Sequence, residues 1–214
     1  MLRVNELFYS IQGESSHAGR PCVFVRLTGC NLRCSYCDTR YAYDEGQNLE
    51  IDEIIDRVTS YRCRLIEITG GEPLIQKETP ELIHQLLERG FEVLLETNGS
   101  LDISNIDDRC VKIVDIKCPS SGETKNNDLK NLKRLSDKDE IKFVIGSEED
   151  YVYAKKIMSL IGKRNLKIKP PIFSPVHKQM EPKLLAEWIL ADHIDVRMQI
   201  QLHKIIWGSE MRGV

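Results

Sequence analysis

The sequence predicts an α/β protein, a partial (β/α) barrel of about six parallel strands. Two observations carry that prediction. Short β-branched or apolar runs alternate with amphipathic helical patterns along the chain, which is the rhythm of parallel βα units. The residues least expected of a plain core, a cysteine triplet, paired glycines and single charged or histidine residues, follow the ends of those runs, and barrels and doubly wound sheets both gather function at the C-terminal ends of their strands. Length selects the short version: the chain has 214 residues, against about 250 for a closed eight-stranded barrel. An open doubly wound sheet shares the local pattern and is the alternative.

Taken in order, "CVFVRL" (22–27), "RLIEIT" (64–69), "FEVLLET" (91–97), "VKIVDIK" (111–117), "EIKFVIG" (140–146), "LKIKPPIF" (166–173) and "VRMQIQL" (196–202) read as strands. Between them lie "IDEIIDRVTSY" (51–61), "TPELIHQLLERG" (79–90), "SEEDYVYAKKIMSLIG" (147–162) and "EPKLLAEWILADH" (181–193), all with helical periodicity. In the second of these Thr79 can cap, Pro80 suits the first turn and Gly90 stops the helix. Ser147 and the acidic residues after it complement the third helix's N-terminus, and Gly162 follows its last turn. The polar segment "SSGETKNNDLKNLKR" (120–134) reads as a solvated connection.

Composition bounds the rest. A chain that is 41% hydrophobic and 29% charged suits one domain, residues 1–214, with a substantial core. A net charge of −3 with mixed signs offers no basic face for phosphates, so direct nucleic-acid binding is not expected. No apolar run approaches the about 20 residues of a membrane span, and the start lacks the features of a secretory signal, so a cytoplasmic location with reduced thiols is expected.

"GCNLRCSYCDT" (29–39) holds Cys30, Cys34 and Cys37 with no fourth cysteine at a matching interval. Structural zinc and ordinary iron–sulfur clusters take four protein ligands. Three thiolates on a four-iron cluster leave one iron open to a small molecule. Cys22, Cys63, Cys110 and Cys118 stand alone; Cys22 and Cys110 border apolar runs and read as buried thiols. "TGGEP" (69–73) could be a turn, or a place where a ligand approaches backbone without a Cβ in the way. Taken alone, Gln12 and Glu14 read as plain loop residues. Alone, Arg26 on an apolar strand reads as an ion-pair partner, and Thr39 as a helix cap. His17, His84 and His193 have no informative context.

The CxxxCxxC spacing with Tyr36 before its last cysteine, followed by "GGEP", resembles the radical S-adenosylmethionine (SAM) superfamily. "SIQGES", an arginine shortly before "GC", "CDT", "ETNG", "SSGE" and "QLHKIIWG" narrow the resemblance to the 7-carboxy-7-deazaguanine synthase family, through nearly the whole chain. The resemblance implies a radical-SAM-type barrel, a [4Fe-4S] cluster on Cys30, Cys34 and Cys37, SAM as a reusable radical initiator, and Mg²⁺ at Thr39. It implies SAM contacts at Tyr36, Cys37, Asp38, Gly71, Lys117, Ser174, Pro175, Val176 and His177. Ile11, Gln12, Gly13, Glu14, Arg26, Thr69, His203 and Val214 are implied around a pterin substrate, with the chain terminus, "WGSEMRGV", against it. The implied reaction converts 6-carboxy-5,6,7,8-tetrahydropterin to 7-carboxy-7-deazaguanine with loss of ammonia, on the route to queuosine-type nucleosides. A low-potential electron donor such as flavodoxin or ferredoxin and a homodimer belong to the same expectation. The family carries an SPK-like triplet where this chain has "DIK", so Asp115 and Ile116 are weaker assignments than Lys117. A glycyl-radical activase shares the cysteine spacing, but "SIQGES" and "CDT" speak against it; a structural zinc or electron-transfer module is the non-enzymatic alternative.

Overall fold

The computed structural model describes residues 1–162 and 168–214. The chain runs through β1 (Leu2–Ile11), β2 (Pro21–Leu27), β3 (Gln47–Leu49), α1 (Ile51–Ser60), β4 (Leu65–Gly70), α2 (Thr79–Glu88), β5 (Glu92–Thr97), β6 (Val111–Ile116), β7 (Glu140–Ile145), α3 (Glu148–Gly162), β8 (Ile172–Pro175), α4 (Pro182–Ala191), β9 (Arg197–Met198) and α5 (Leu202–Ile206). Among the described residues these strands form one sheet in the order β3-β1-β2-β4-β5-β6-β7-β8-β9. From β2 to β9 every pairing is parallel. The six longer parallel strands are the expected ones, and the seventh, β9, shrinks to two residues.

Two antiparallel strands were not expected. β1 pairs with β2 and β3 with β1, so the barrel opens on a hairpin. A register shift between Val4 and Glu6 interrupts the inward–outward alternation that would mark β1 as a strand, and β3 has only three residues. The start of "LKIKPPIF", Leu166 and Lys167, lies outside the described residues; the strand itself occupies Ile172–Pro175.

Alternate residues of the parallel strands face opposite ways. On the outer face Val23, Val25, Leu27, Ile66, Ile68, Val93 and Leu95 pack with Ile54, Ile55 and Val58 of α1 and Leu82, Ile83 and Leu86 of α2. Further along the sheet, Val114, Ile116, Ile141, Phe143 and Ile145 pack with Tyr151, Ala154 and Ile157 of α3 and Leu185 of α4. Each fully buried aliphatic side chain here contributes about 1.5–3 kcal/mol. The sheet is curled: Ser16, in the turn after β1, bonds through its N–H to Glu140 of β7 at 2.9 Å. β7 stands four strands from β2, about 19 Å across a flat sheet at the usual strand spacing.

Local signals mostly hold. Ser147 caps α3, its Oγ accepting from the Asp150 N–H at 3.3 Å. α3 is described as far as Gly162, and the residues after it lie outside the described residues. Thr79 does not cap α2; it is the first helical residue, and its hydroxyl donates to the Pro73 carbonyl at 2.6 Å. The 120–134 segment is more than a solvated connection: it carries three short 3₁₀ turns and buries Asn131 and Leu132, with the Asn131 amide donating to the Gly99 and Leu101 carbonyls. No helix among the described residues is long and apolar enough to cross a membrane.

Candidate active site

The strand ends converge on the cysteine loop. Gly71 donates its N–H to the Leu27 carbonyl at 3.1 Å, and Glu72 donates to that of Gly29 at 2.8 Å, binding the "GGEP" turn to the end of β2. A Cβ on Gly71 would stand 2.0 Å from the Gly29 oxygen, so backbone packing alone demands glycine there. Glu72 is fully buried, and its carboxylate accepts from Leu74 N–H, Asn98 N–H and Thr97 Oγ1 at 3.0, 2.7 and 2.8 Å. It staples "GGEP" to "ETNG". Asn98 reaches in turn to Asn31 Oδ1 at 3.1 Å. From the other side Ser35 donates through N–H to the Ser121 carbonyl and through Oγ to that of Ser120, at 3.1 and 2.6 Å, while Arg33 N–H meets Glu123 at 2.8 Å. Three family-like motifs therefore form the frame of the cysteine loop.

All seven cysteines are free thiols, and Cys30, Cys34 and Cys37 are the partly exposed set on this loop. The Leu32 N–H points at Cys30 Sγ, 3.4 Å away. Burial pushes the Cys30 and Cys34 thiols up, Cys34 to about 11, and a bound metal ion favours the thiolate form. Among the described residues no group of three His, Cys, Asp or Glu is placed to hold a single metal ion. Free thiols, partial exposure and a donor aimed at sulfur fit a [4Fe-4S] cluster. Cys22, Cys110 and Cys118 are buried, and Cys63 bonds to the Pro21 and Leu65 carbonyls at the opposite, N-terminal end of the strands.

Around this loop lie the residues expected to meet SAM. Tyr36 has a buried hydroxyl with no partner among the described residues. Lys117 donates to Asp115 at 2.8 Å; burial works against its charge, but Asp115, Cys34 and Tyr36 together raise the Lys117 pKa. Ser174, Pro175 and Val176 are buried at the end of β8, whereas His177 is exposed. Asp38 accepts from Lys204 at 2.6 Å and from Thr39 Oγ1 at 2.9 Å. Despite its desolvation, Lys204 holds the Asp38 carboxyl down to about 2. Thr39 makes no cap bond, and because its hydroxyl donates to Asp38 its oxygen lone pairs stay available to a cation.

The second group lines the inner face beside it. Ile11 ends β1, and the turn after it holds Gln12, Gly13 and Glu14. Glu14 accepts from Lys142 at 2.9 Å, Gln199 at 3.1 Å and Gln201 at 2.8 Å. Burial would raise the Glu14 carboxyl, but Lys142 and Gln201 bring it to about 2. Arg26 pairs through Nε with Glu6 at 2.6 Å, so the ion-pair reading of this arginine is realised; its two Nη groups make no hydrogen bond among the described residues. Thr69 is its neighbour across the β2–β4 pairing. His203 does not end a strand: β9 stops at Met198, and His203 lies on α5. Leu202 N–H bonds to the Gly13 carbonyl at 3.0 Å, and a Cβ on Gly13 would meet the His203 ring at 2.3 Å. The tail reaches the same region. Arg212 lies over the Tyr41 ring at 3.8 Å, and Tyr41 donates to Glu6, the partner of Arg26. Val214 is half-buried beyond it.

Sequence reasoning missed four side chains that hold this arrangement: Glu67, Glu96, Lys142 and Lys204. Lys142 is 5% exposed and donates to both Glu14 and Glu96, with Asp115 at 3.9 Å. For Glu67, Glu96 and Lys142 the signal was a single charge at an alternate position of an apolar strand, as in "EIT", "LET" and "IKF".

Over its whole length the chain is 48% identical to the 7-carboxy-7-deazaguanine synthase of Chlorobaculum tepidum, covering 100% of this chain and 97% of that one. The Koribacter versatilis protein of the same name is 42% identical with both chains fully covered. The chain belongs to the 7-carboxy-7-deazaguanine synthase family. The Radical SAM superfamily pattern matches residues 24–118, the stretch from β2 through the cysteine loop to the end of β6. A crystal structure of QueE from Escherichia coli shares the fold, with a TM-score of 0.77 over 94% of each chain at 22% identity. SuiB of Streptococcus suis matches at 0.57 and 12% identity, covering 84% of this chain. Family membership disfavours the activase and zinc-module alternatives.

Proposed function

We propose that the protein converts 6-carboxy-5,6,7,8-tetrahydropterin to 7-carboxy-7-deazaguanine with release of ammonia, within deazapurine nucleoside biosynthesis. The observation that carries this reading is the link through α5 between the cysteine loop and the Gln12–Glu14 turn, Lys204 donating to Asp38 and Leu202 N–H to the Gly13 carbonyl, beside Arg26, whose Nη groups have no partner among the described residues. When bound, a [4Fe-4S] cluster on Cys30, Cys34 and Cys37 together with SAM supplies a 5′-deoxyadenosyl radical able to abstract hydrogen from C6 of the pterin.

The chain's own residues bind and orient. Gln12, Gly13 and Glu14 meet the donor–acceptor edge of the heterocycle; Glu14, kept ionised by Lys142, is an acceptor for its N–H groups. Arg26 forks to the carboxylate, with Ile11, Thr69 and His203 as neighbours and the Val214 carboxylate as a further acceptor. Tyr36, Cys37, Asp38, Gly71, Lys117 and the Ser174–His177 segment surround SAM. Thr39 offers its oxygen to Mg²⁺, which takes one or two protein ligands and leaves the rest of its shell to substrate and water. The same reading takes residues 1–214 as one domain, active in the cytoplasm as a homodimer and reduced by a flavodoxin- or ferredoxin-like donor.

The test is anaerobic incubation of reconstituted protein with SAM, reductant, Mg²⁺ and the carboxytetrahydropterin, followed by mass spectrometry. The expected result is 7-carboxy-7-deazaguanine with matching ammonia and little net loss of SAM. Stoichiometric SAM consumption without that product overturns the assignment.

A further inference from the structure

Glu67 has no role in the reaction as described, yet it is a buried carboxyl on the inner face beside the Gln12–Glu14 turn. It sits on β4 with 3% exposure, in register with Phe24 on one side and Leu94 on the other, where an apolar residue would be expected. Its Oε2 accepts a hydrogen bond from Gln12 Nε2. The other end of that amide is engaged too: Gln12 Oε1 accepts from the Glu14 N–H at 2.9 Å. A backbone N–H can bond only to the amide oxygen, so the Gln12 side chain has one orientation and its nitrogen must fall on Glu67. Both anchors leave one Gln12 N–H without an acceptor among the described residues.

The charges around Glu67 define its state. Glu14 and Glu96 take the Lys142 ammonium and Glu6 takes Arg26, so among the described residues no cation pairs with Glu67. Burial, and then Glu96 and Glu14, push its pKa well above the usual carboxylate range.

We propose that Glu67 is a positioning residue: it locks the Gln12 amide so that the remaining N–H meets an acceptor on the substrate's heterocyclic edge. The inference rests on the pterin reading above. In this arrangement Gln12 supplies the contact, and Glu67 supplies its direction. Losing the lock lets the amide rotate and weakens binding of the substrate without touching the radical chemistry.

The experiment is anaerobic steady-state kinetics on the reconstituted protein with the carboxytetrahydropterin, for wild type, Glu67→Gln, Glu67→Leu, Gln12→Leu and the Glu67→Leu/Gln12→Leu double variant. Glu67→Met, unbranched like glutamate and without its oxygens, stands in if the leucine variant does not fold. Glu67→Gln keeps an acceptor and is expected to hold KM within about threefold, whereas Glu67→Leu raises KM about tenfold with a smaller change in kcat, the size of one lost hydrogen bond to a ligand. The double variant is expected to be no worse than Gln12→Leu alone, because both changes remove one interaction. A merely structural role would lower kcat and cluster content together and show additive losses. Normal KM in Glu67→Leu, with wild type converting the pterin, overturns this inference alone. No conversion by wild type overturns the proposed function and this inference with it.

Discussion

The two halves of the barrel's inner face differ in kind although the same strands build them. Toward the N-terminal ends Phe8, Cys22, Phe24, Leu65, Leu94 and Ile113 form an apolar floor, with the Phe8 and Phe24 rings stacked at 4.9 Å. Two or four residues further along, the same strands present Arg26, Glu67, Glu96, Asp115 and Lys117, with Lys142 beside them on β7. The floor needs only shape and burial, so any well-packed apolar set could supply it. The rim holds charges that cost stability to bury and that, in the proposed function, give ligands and cofactors fixed dipoles and hydrogen-bond partners. Stability and chemistry thus lie only two to four residues apart along the same strands.

The cysteines test that division with the largest expected effect. Cys30, Cys34 and Cys37 stand at the rim and Cys63 at the floor end. Alanine at any of the first three is expected to abolish the reconstituted cluster's visible absorbance and SAM cleavage, while Cys63→Ala leaves both. Loss of the cluster in Cys22→Ala would break the division, because a floor thiol would then be a ligand.

Thr39 sharpens it within the rim. Thr39→Ala is expected to retain cluster absorbance and SAM binding but to lose product formation, or to recover it only at higher Mg²⁺. Turnover unchanged across a Mg²⁺ titration removes Thr39 from the site. A smaller effect is expected at the chain end, where Arg212 brings the tail to the Tyr41–Glu6–Arg26 cluster. A few residues added after Val214 should raise the pterin KM several-fold at constant SAM affinity, as for loss of one charge-assisted hydrogen bond; equal KM values for tagged and untagged protein leave the terminal carboxylate without a part in binding.

The sequence made the outer face and the cysteine loop legible for physical reasons. β-branched runs such as "CVFVRL" and the cap of α3 are local signals, and the spacing of Cys30, Cys34 and Cys37 lies within one loop. What stayed hidden is long-range or irregular. The Glu14–Lys142 contact joins residues 128 positions apart, and nothing local in "EIKFV" shows which carboxylate its lysine will meet. β1 was obscured by its bulge, and His203 moved to α5 because the edge strand β9 has a neighbour on one side only and ends after two residues. The structural reason for the "GGEP" glutamate was equally invisible, since its three hydrogen bonds come from two different turns.

The most direct measurement of the division is the Kd of the carboxytetrahydropterin, by anaerobic calorimetry on cluster-loaded protein, for Lys142→Met at the rim and Phe24→Leu at the floor, with Tm recorded for both. The account predicts that Lys142→Met weakens binding at least tenfold at normal cluster absorbance, because Glu14 and Glu96 lose the ammonium that orients them. Phe24→Leu should lower Tm and leave Kd unchanged. A Lys142→Met protein with normal Kd, or a Phe24→Leu protein that folds as stably as wild type but no longer binds the pterin, would contradict it.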